Sequence, residues 1–374
     1  MKVLFIITGL QYGGAERQMV QLALTLKERG WDAKVLSLLP PDGYASSLIK
    51  SGIEVVSLEM RRGRAGPIDL IRAVRAASAY SPQIMIGFMF HANLLARLVG
   101  KIVGVPVIIT SIRTEAYWSP WIRLAERATG WMSDLTVFNS ASVANRFTSD
   151  GIVNPRKVRV IPNGIEVERF ACGEARRAEL RKRYGFDPRH FVWVAIGNLV
   201  EAKDYPNLLA AFEKMTGKED AILVIAGRGD KYIDLTEERR RLGLEERVMF
   251  KGFVEKPEEL LCAGDAFVLS SAWEGLPNSI LEACAAGKPV VATDVGGVGQ
   301  LIKAAGNGFI VRKRDPEALA TAMREMMELS EEQREEMGRR GRDHIRDNYS
   351  VEKVAEMWER LCMETYAEKK AASW

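Results

Sequence analysis

The stretch Ser270–Gly297, SSAWEGLPNSILEACAAGKPVVATDVGG, decides how the rest of the chain is read. It runs from the end of one buried strand (AFVLS) through a loop and a helix to a second buried strand (PVVATD). Pro277 suits the first helical position, where its missing N–H would have no helical partner. Leu276 then falls at the N-cap and offers no side-chain oxygen to the first free N–H groups. The N–H groups of Asn278, Ser279 and Ile280 are thereby left for an anionic ligand, which the helix dipole favours. Glu274 lies before this end and Glu282 on the second turn. Two carboxylates beside a phosphate would repel it, so they fit hydroxyls on either side of it. Hydroxyl, phosphate, hydroxyl is the outline of a sugar nucleotide.

Working outward, the second half alternates buried runs (FVWVAIG, AILVIAG, VMFKGF, DAFVLSS) with helical patterns at Asn207–Met215 and Asp234–Leu242. The first half has the same grammar. VLFII, AKVLSLL, GIEVVSL, QIMIGFM, PVIITSI and DLTVFNS alternate with helices that include Ala15–Arg29 and Ile68–Ala79. Buried strands separated by helices imply α/β architecture with parallel sheets and right-handed crossovers. Two doubly wound domains in series are expected, 1–166 and 167–349. The boundary is marked by VIPNGIEVERF, with a turn at Asn163-Gly164, and by the charged segment ARRAELRKRYGFDPR. After Asp315 the pattern is helical to about Asp347. From Ser350 a last helix puts Val354, Met357, Trp358, Leu361 and Cys362 on one face.

At 374 residues, with 47% hydrophobic content, the chain suits two globular domains of about 150 to 190 residues. No apolar run approaches the roughly 18 residues of a membrane span. The N-terminal MKVLFIITGL reads as a first strand rather than a signal peptide. Cys172, Cys262, Cys284 and Cys362 are scattered, which predicts buried thiols in a reducing compartment. Residues 1–170 hold 21 Lys+Arg against 13 Asp+Glu, a net +8, and the remainder holds 32 against 36, a net −4. A basic first half predicts an anionic partner, and no nucleic-acid signature accompanies it.

The whole string around the two glutamates, with Gly275, Pro277, Gly287, Pro289 and Gly296-Gly297 in place, resembles the E-x7-E signature of family 4 retaining glycosyltransferases. The resemblance covers nearly the whole chain and implies the GT-B fold, two Rossmann-like domains facing across a cleft. It gives the second domain the nucleotide sugar, the first domain the acceptor, and 350–374 a helix crossing back to the first domain; capping its own domain is the other course open to that helix. By resemblance, Glu274 approaches the transferred sugar and Glu282 binds the ribose. Lys203 matches the lysine that neutralises the donor diphosphate, a role suited to a compact charge. The arginine expected nearby is Asn198 here, and Arg228 in IAGRGD is the candidate to supply the missing charge. Val254 stands where the base is held through backbone contacts.

In ITGLQYGGAER, Gly13 and Gly14 follow the first strand and let backbone approach a ligand. Their spacing is not the dinucleotide fingerprint but resembles the family's glycine loop. The expected donor contacts are thus Gly13, Gly14, Asn198, Lys203, Arg228, Val254, Glu274, Gly275, Leu276, Asn278, Ser279 and Glu282. His91 and Arg113 each follow a strand, and the resemblance leaves open which of them faces the sugar. His91 joins Glu274 and Lys203 as a catalytic candidate, and Arg113 is assigned to the acceptor.

The implied activity is transfer of a sugar from a nucleoside diphosphate to a hydroxyl of a glycan or lipid-linked acceptor. Polysaccharide or lipid-linked glycan synthesis on the cytoplasmic side of a bacterial membrane is the expected setting. The donor is a substrate, and neither a further cofactor nor a metal is expected. A sugar-nucleotide epimerase on the same fold and a non-catalytic sugar-nucleotide-binding partner are the alternatives. WSPWIRLAERATGWM (Trp118–Met132) is basic and Trp-rich, which fits either a membrane interface or packing between domains.

Overall fold

The structure, a computed structural model, describes residues 1–61, 66–114, 119–215 and 220–372. The chain divides into two compact units, Met1–Gly164 with Val351–Trp374, and Ile165–Ser350. The first unit is built on seven strands: β1 (Lys2–Ile7), β2 (Asp32–Ser37), β3 (Glu54–Ser57), β4 (Ile84–Phe88), β5 (Val107–Ile112), β6 (Leu135–Phe138) and β7 (Val158–Val160). They pair in the order β3-β2-β1-β4-β5-β6-β7, with every pair parallel.

A strand buried on both faces needs a continuous apolar run, because alternate side chains serve opposite layers. β1 shows this directly. Val3, Phe5 and Ile7 enter one core cluster, and Leu4 and Ile6 enter the other. The helix Val351–Ala372 covers the first of these layers with Val354, Ala355, Trp358 and Cys362. Trp358 lies 5.9 Å from Phe88, ring to ring, and Glu359 accepts from Trp31 Nε1 at 2.8 Å and Arg29 at 3.0 Å. Met357, read as part of that apolar face, is exposed, because the buried stripe runs through Ala355 instead.

The second unit repeats the plan with β8 (Phe191–Ile196), β9 (Ala221–Ala226), β10 (Val248–Gly252), β11 (Ala266–Leu269), β12 (Val290–Thr293) and β13 (Gly308–Val311). The order is β10-β9-β8-β11-β12-β13, again all parallel. Its two chain ends meet, with Ile165 N–H donating to the Tyr349 carbonyl at 2.9 Å.

Several local expectations are corrected. The charged segment after the boundary contains a helix, Glu174–Tyr184, whose Arg177 and Arg181 hold Asp265 at 2.5 and 3.0 Å. Asp265 also accepts from Val192 N–H at 2.7 Å, which fixes it as structural. The pattern after Asp315 is two helices, Pro316–Glu328 and Glu331–Tyr349. They part where Ser330 and Gln333 close a reciprocal capping box. Cys172 and Cys262 form a disulfide with a Cα–Cα distance of 5.7 Å, against the expectation of free thiols. Packing of the turn Val167–Phe170 on the helix Pro257–Ala263 brings them together across 90 residues of sequence. Cys284 and Cys362 are buried thiols, pushed up to about 12 by burial.

Candidate functional site

Ligands of doubly wound sheets bind beyond the carboxyl ends of the strands, where the strand order reverses. In the second unit that point lies between β8 and β11. The loops leaving β8, β9 and β10 are laced together there. Gly197 N–H donates to Ala226 at 3.0 Å, Gly227 N–H to Gly252 at 2.7 Å, and Leu199 N–H to the Arg228 carbonyl at 2.9 Å. Gly227 has φ +158°, and a Cβ on it would collide with the Gly197 carbonyl. Asn198 and Arg228 are therefore held on adjoining turns. The Arg228 guanidinium lies over the Phe253 ring at 4.9 Å. Val254 follows, half-buried against the core.

Lys203 ends a short turn after β8, and its Nζ lies 2.6 Å from Glu274 Oε1. Ser271 Oγ donates to the same oxygen at 3.0 Å. The two loops are stitched by Ser270 Oγ to the Lys203 carbonyl (2.8 Å) and Ala272 N–H to the Ala202 carbonyl (2.8 Å). Tyr205 donates to the Gly197 carbonyl at 3.1 Å, and burial, then the Glu274 charge, raises its pKa. Gly275 accepts from Gly297 N–H at 2.8 Å. Gly296 has φ +52°, and a side chain there would strike the Glu274 and Gly275 carbonyls. The double glycine thus fixes the loop that carries Glu274.

The helix after this loop is Asn278–Ala285, one residue later than expected, with Pro277 extended at the N-cap (φ −67°, ψ 136°). The N-cap N–H makes no helical bond either, so proline is tolerated there equally well. Pro277 also makes no side-chain cap bond, so the reason for expecting an anion at this end stands. Leu276 sends its side chain into the core. Ser279 Oγ is buried without a hydrogen-bond partner. Glu282 is only 4% exposed and shares a helix face with Asn278 and Ser279 by its spacing.

In the first unit the order reverses between β1 and β4. After β1, Gly13 caps the helix Gly14–Glu28 in an ordinary extended conformation (φ −134°). A Cβ there would meet the end of the Glu16 side chain, whose carboxyl burial holds above its usual range. After β4, Met89 adopts φ +72°, a strained value for methionine costing about 1–3 kcal/mol. The bend is locked by Met89 N–H on the Ser111 carbonyl (3.1 Å) and by fully buried Asn93, which exchanges two bonds with the Ser111 backbone (3.0 and 3.1 Å). It presents His91, exposed, on the first turn of the helix Phe90–Val103. Arg113 is 9% exposed. It donates to Asn163 at 2.9 Å and lies over Phe88 (5.1 Å) and Trp358 (5.8 Å), and burial lowers its pKa to about 9. Much of its side chain is committed to holding the C-terminal helix.

The helix Pro120–Thr129 is amphipathic in an inverted sense. Its one buried residue is Glu126, 2.6 Å from buried Arg97, while Trp121 (77% exposed) and Leu124 face solvent, as does Trp131 beyond it. Burial pushes the Glu126 carboxyl up, and Arg97 opposes this. Trp118 and Arg62–Arg64 lie outside the described residues. The sequence reading missed Ser271 and the strain at Met89; neither carries a local sequence signal.

Two parallel doubly wound sheets, with an acid–lysine pair and an uncapped helix start at the rim of the second, define a protein of the GT-B class. Family models agree, matching residues 176–344 as "Glycosyl transferases group 1" and 12–169 as "Glycosyltransferase Family 4". The chain belongs to these group 1 and family 4 glycosyltransferases. It is 26% identical to the Escherichia coli UDP-Gal:alpha-D-GlcNAc-diphosphoundecaprenol alpha-1,3-galactosyltransferase, over 62% of each chain. It is 31% identical to a GDP-mannose-dependent alpha-(1-6)-phosphatidylinositol monomannoside mannosyltransferase of Mycobacterium tuberculosis, also over 62% of each. The match thus spans about three fifths of these relatives. With LpsD, a lipopolysaccharide core biosynthesis glycosyltransferase of Rhizobium meliloti, it shares 25% identity over 96% of this chain and 97% of that one. Anabaena HepE, crystallised with UDP, shares the fold, with a TM-score of 0.84 at 21% identity over 97% of this chain and all of HepE.

Proposed function

We propose that this chain is a retaining glycosyltransferase that moves a sugar from a nucleoside diphosphate to a hydroxyl of a glycan or lipid-linked acceptor. The observation that carries the reading is the Lys203–Glu274 pair beside the N-terminus of Asn278–Ala285, at the switch point of the second sheet. Lys203 and the helix N–H groups stabilise the charge that develops on the leaving diphosphate, with Arg228 supplying the charge that Asn198 lacks. Glu274 faces the sugar as positive charge grows at its anomeric carbon, and Glu282 holds the ribose. The bond from the anomeric carbon to the phosphate oxygen breaks as the acceptor oxygen bonds on the same face. The acceptor's proton passes to the departing phosphate oxygen. His91 is assigned to the sugar, since Arg113 is engaged within its own unit.

The acceptor class is supported by the names of two relatives, one acting on a diphosphoundecaprenol and one on a phosphatidylinositol monomannoside. A thermal-shift panel of UDP- and GDP-sugars finds the donor, because binding to the folded state raises the apparent melting temperature. Proton NMR of the first product then reads the anomeric configuration. An inverted anomeric proton overturns retention, and a chain stabilised by no nucleotide sugar overturns the assignment.

The same reading places the first unit at an anionic lipid surface. The support is the net positive charge of residues 1–170 together with Trp121, Leu124 and Trp131 turned outward beside Arg123 and Arg127. Salt-sensitive co-sedimentation with phosphatidylglycerol vesicles is expected, and no binding at low salt refutes it.

A further inference from the structure

Glu274 sits on an irregular loop, yet its carboxylate is largely buried, and Lys203 and Ser271 converge on one of its oxygens. Lys203 Nζ and Ser271 Oγ reach Oε1 at 2.6 and 3.0 Å. The lysine cannot serve the acid and the donor equally. On the reading above, a diphosphate offers it more negative charge than one carboxylate does, so donor binding draws Lys203 away. A mostly buried carboxylate would then lose its counter-charge just as its orientation matters most.

Ser271 is built to remain. It is fully buried at the end of β11, and its carbonyl accepts from Thr293 Oγ1 at 2.7 Å. Its neighbours Ser270 and Ala272 are each bonded to the 202–203 turn at 2.8 Å. A hydroxyl placed in this way can keep its bond to Oε1 whichever partner Lys203 takes. We propose that Ser271 is a positioning residue for Glu274, holding the carboxylate in its reactive orientation when Lys203 turns to the donor diphosphate. The assignment rests on the glycosyltransferase reading.

The test measures release of nucleoside diphosphate from UDP-glucose, UDP-galactose, UDP-N-acetylglucosamine and GDP-mannose, with water as acceptor. Four proteins are compared: wild type, Ser271→Ala, Glu274→Ala and the double variant. Ser271→Ala should lower kcat about tenfold to a hundredfold, as expected for losing a hydrogen bond to a charged group that must be held in place. KM should stay within about threefold, because the serine touches no donor atom. In the Glu274→Ala background the same change should cost less than about twofold, since no carboxylate remains to be positioned. A loss from misfolding would persist in that background, so persistence overturns the role, as does an unchanged kcat in Ser271→Ala. A wild type that releases no nucleoside diphosphate from any donor overturns the glycosyltransferase reading, and the role of Ser271 with it.

Discussion

At the rim of the second sheet, backbone presses on backbone: Gly227 against the Gly197 carbonyl, Gly296 against the carbonyls of Glu274 and Gly275. At the rim of the first sheet, Gly13 has the movable end of Glu16 as its nearest neighbour. The first unit uses close main-chain contact where a Cβ on Gly43 (φ +50°) would strike the Leu10 carbonyl, and otherwise shapes its loops with Met89 forced to positive φ and Asn93 bonded to the Ser111 backbone. A rim made of close main-chain contacts has one geometry and tolerates one residue type. A rim bordered by side chains can be rebuilt from different residues. On the proposed function, the rim with one geometry takes the nucleotide portion of the donor and the rebuildable rim takes the acceptor.

The largest expected effect sharpens this contrast at the acid itself. Glu274→Gln should lower kcat about 10²–10³-fold, the loss expected for one preorganised electrostatic contact. Donor affinity by calorimetry should meanwhile move by less than about tenfold, or about 1.4 kcal/mol. Next, Gly296→Ala should cost about 10²-fold in kcat/KM, because the loop bearing Glu274 must shift to admit a methyl group. Gly13→Ala should cost about tenfold, since within the fold its methyl meets the movable end of Glu16 and only the donor's approach to the main chain is narrowed. Equal losses at the two glycines would break the comparison. Glu282→Gln should raise the donor KM about tenfold with kcat nearly unchanged, as for a contact made equally in ground and transition states.

The smallest effect is a pH dependence of stability in the second unit. Lys288 is half-buried, donating to the carbonyls of Gly264 (2.8 Å) and Cys262 (3.3 Å). Burial, then the nearby Arg177 charge, lowers its pKa to about 7. Between pH 7 and the ordinary lysine value the unfolded chain binds the extra proton, so this residue makes stability rise with pH across that window. Lys288→Met should flatten the rise in melting temperature between pH 7 and 10. An unchanged slope would show that Lys288 titrates normally in the fold.

The strands were readable because β1, β8 and β9 carry continuous apolar runs feeding two layers at once. β13 was not, because its four half-buried residues at the sheet edge make a weak pattern. The helix start beyond Glu274 was legible to within one residue, since Pro277 is tolerated both as the cap and just after it. Lys203 and Glu274 were singled out separately, but their pairing was not, because 71 residues separate them and only the β8–β11 adjacency joins them. Ser271 was invisible for a related reason: what matters is where its hydroxyl points. Arg113 was placed correctly after a strand, but its partners were not legible, because Trp358 reaches it from the far end of the sequence.

The C-terminal helix bears on the order in which the molecule is made. Residues 165–350 form an unbroken unit, whereas the first unit draws on residues 1–164 and again on the final helix. The second unit therefore has all of its residues in one segment, while the first depends on a distant helix to place Trp358 over Phe88. Until residues 354–362 emerge, the layer of Val3, Phe5, Ile7 and Phe88 has no cover from that helix. A chain truncated after Ser350 should thus keep the second unit complete, display this apolar surface on the first, and be bound by chaperones that pass over the full-length chain.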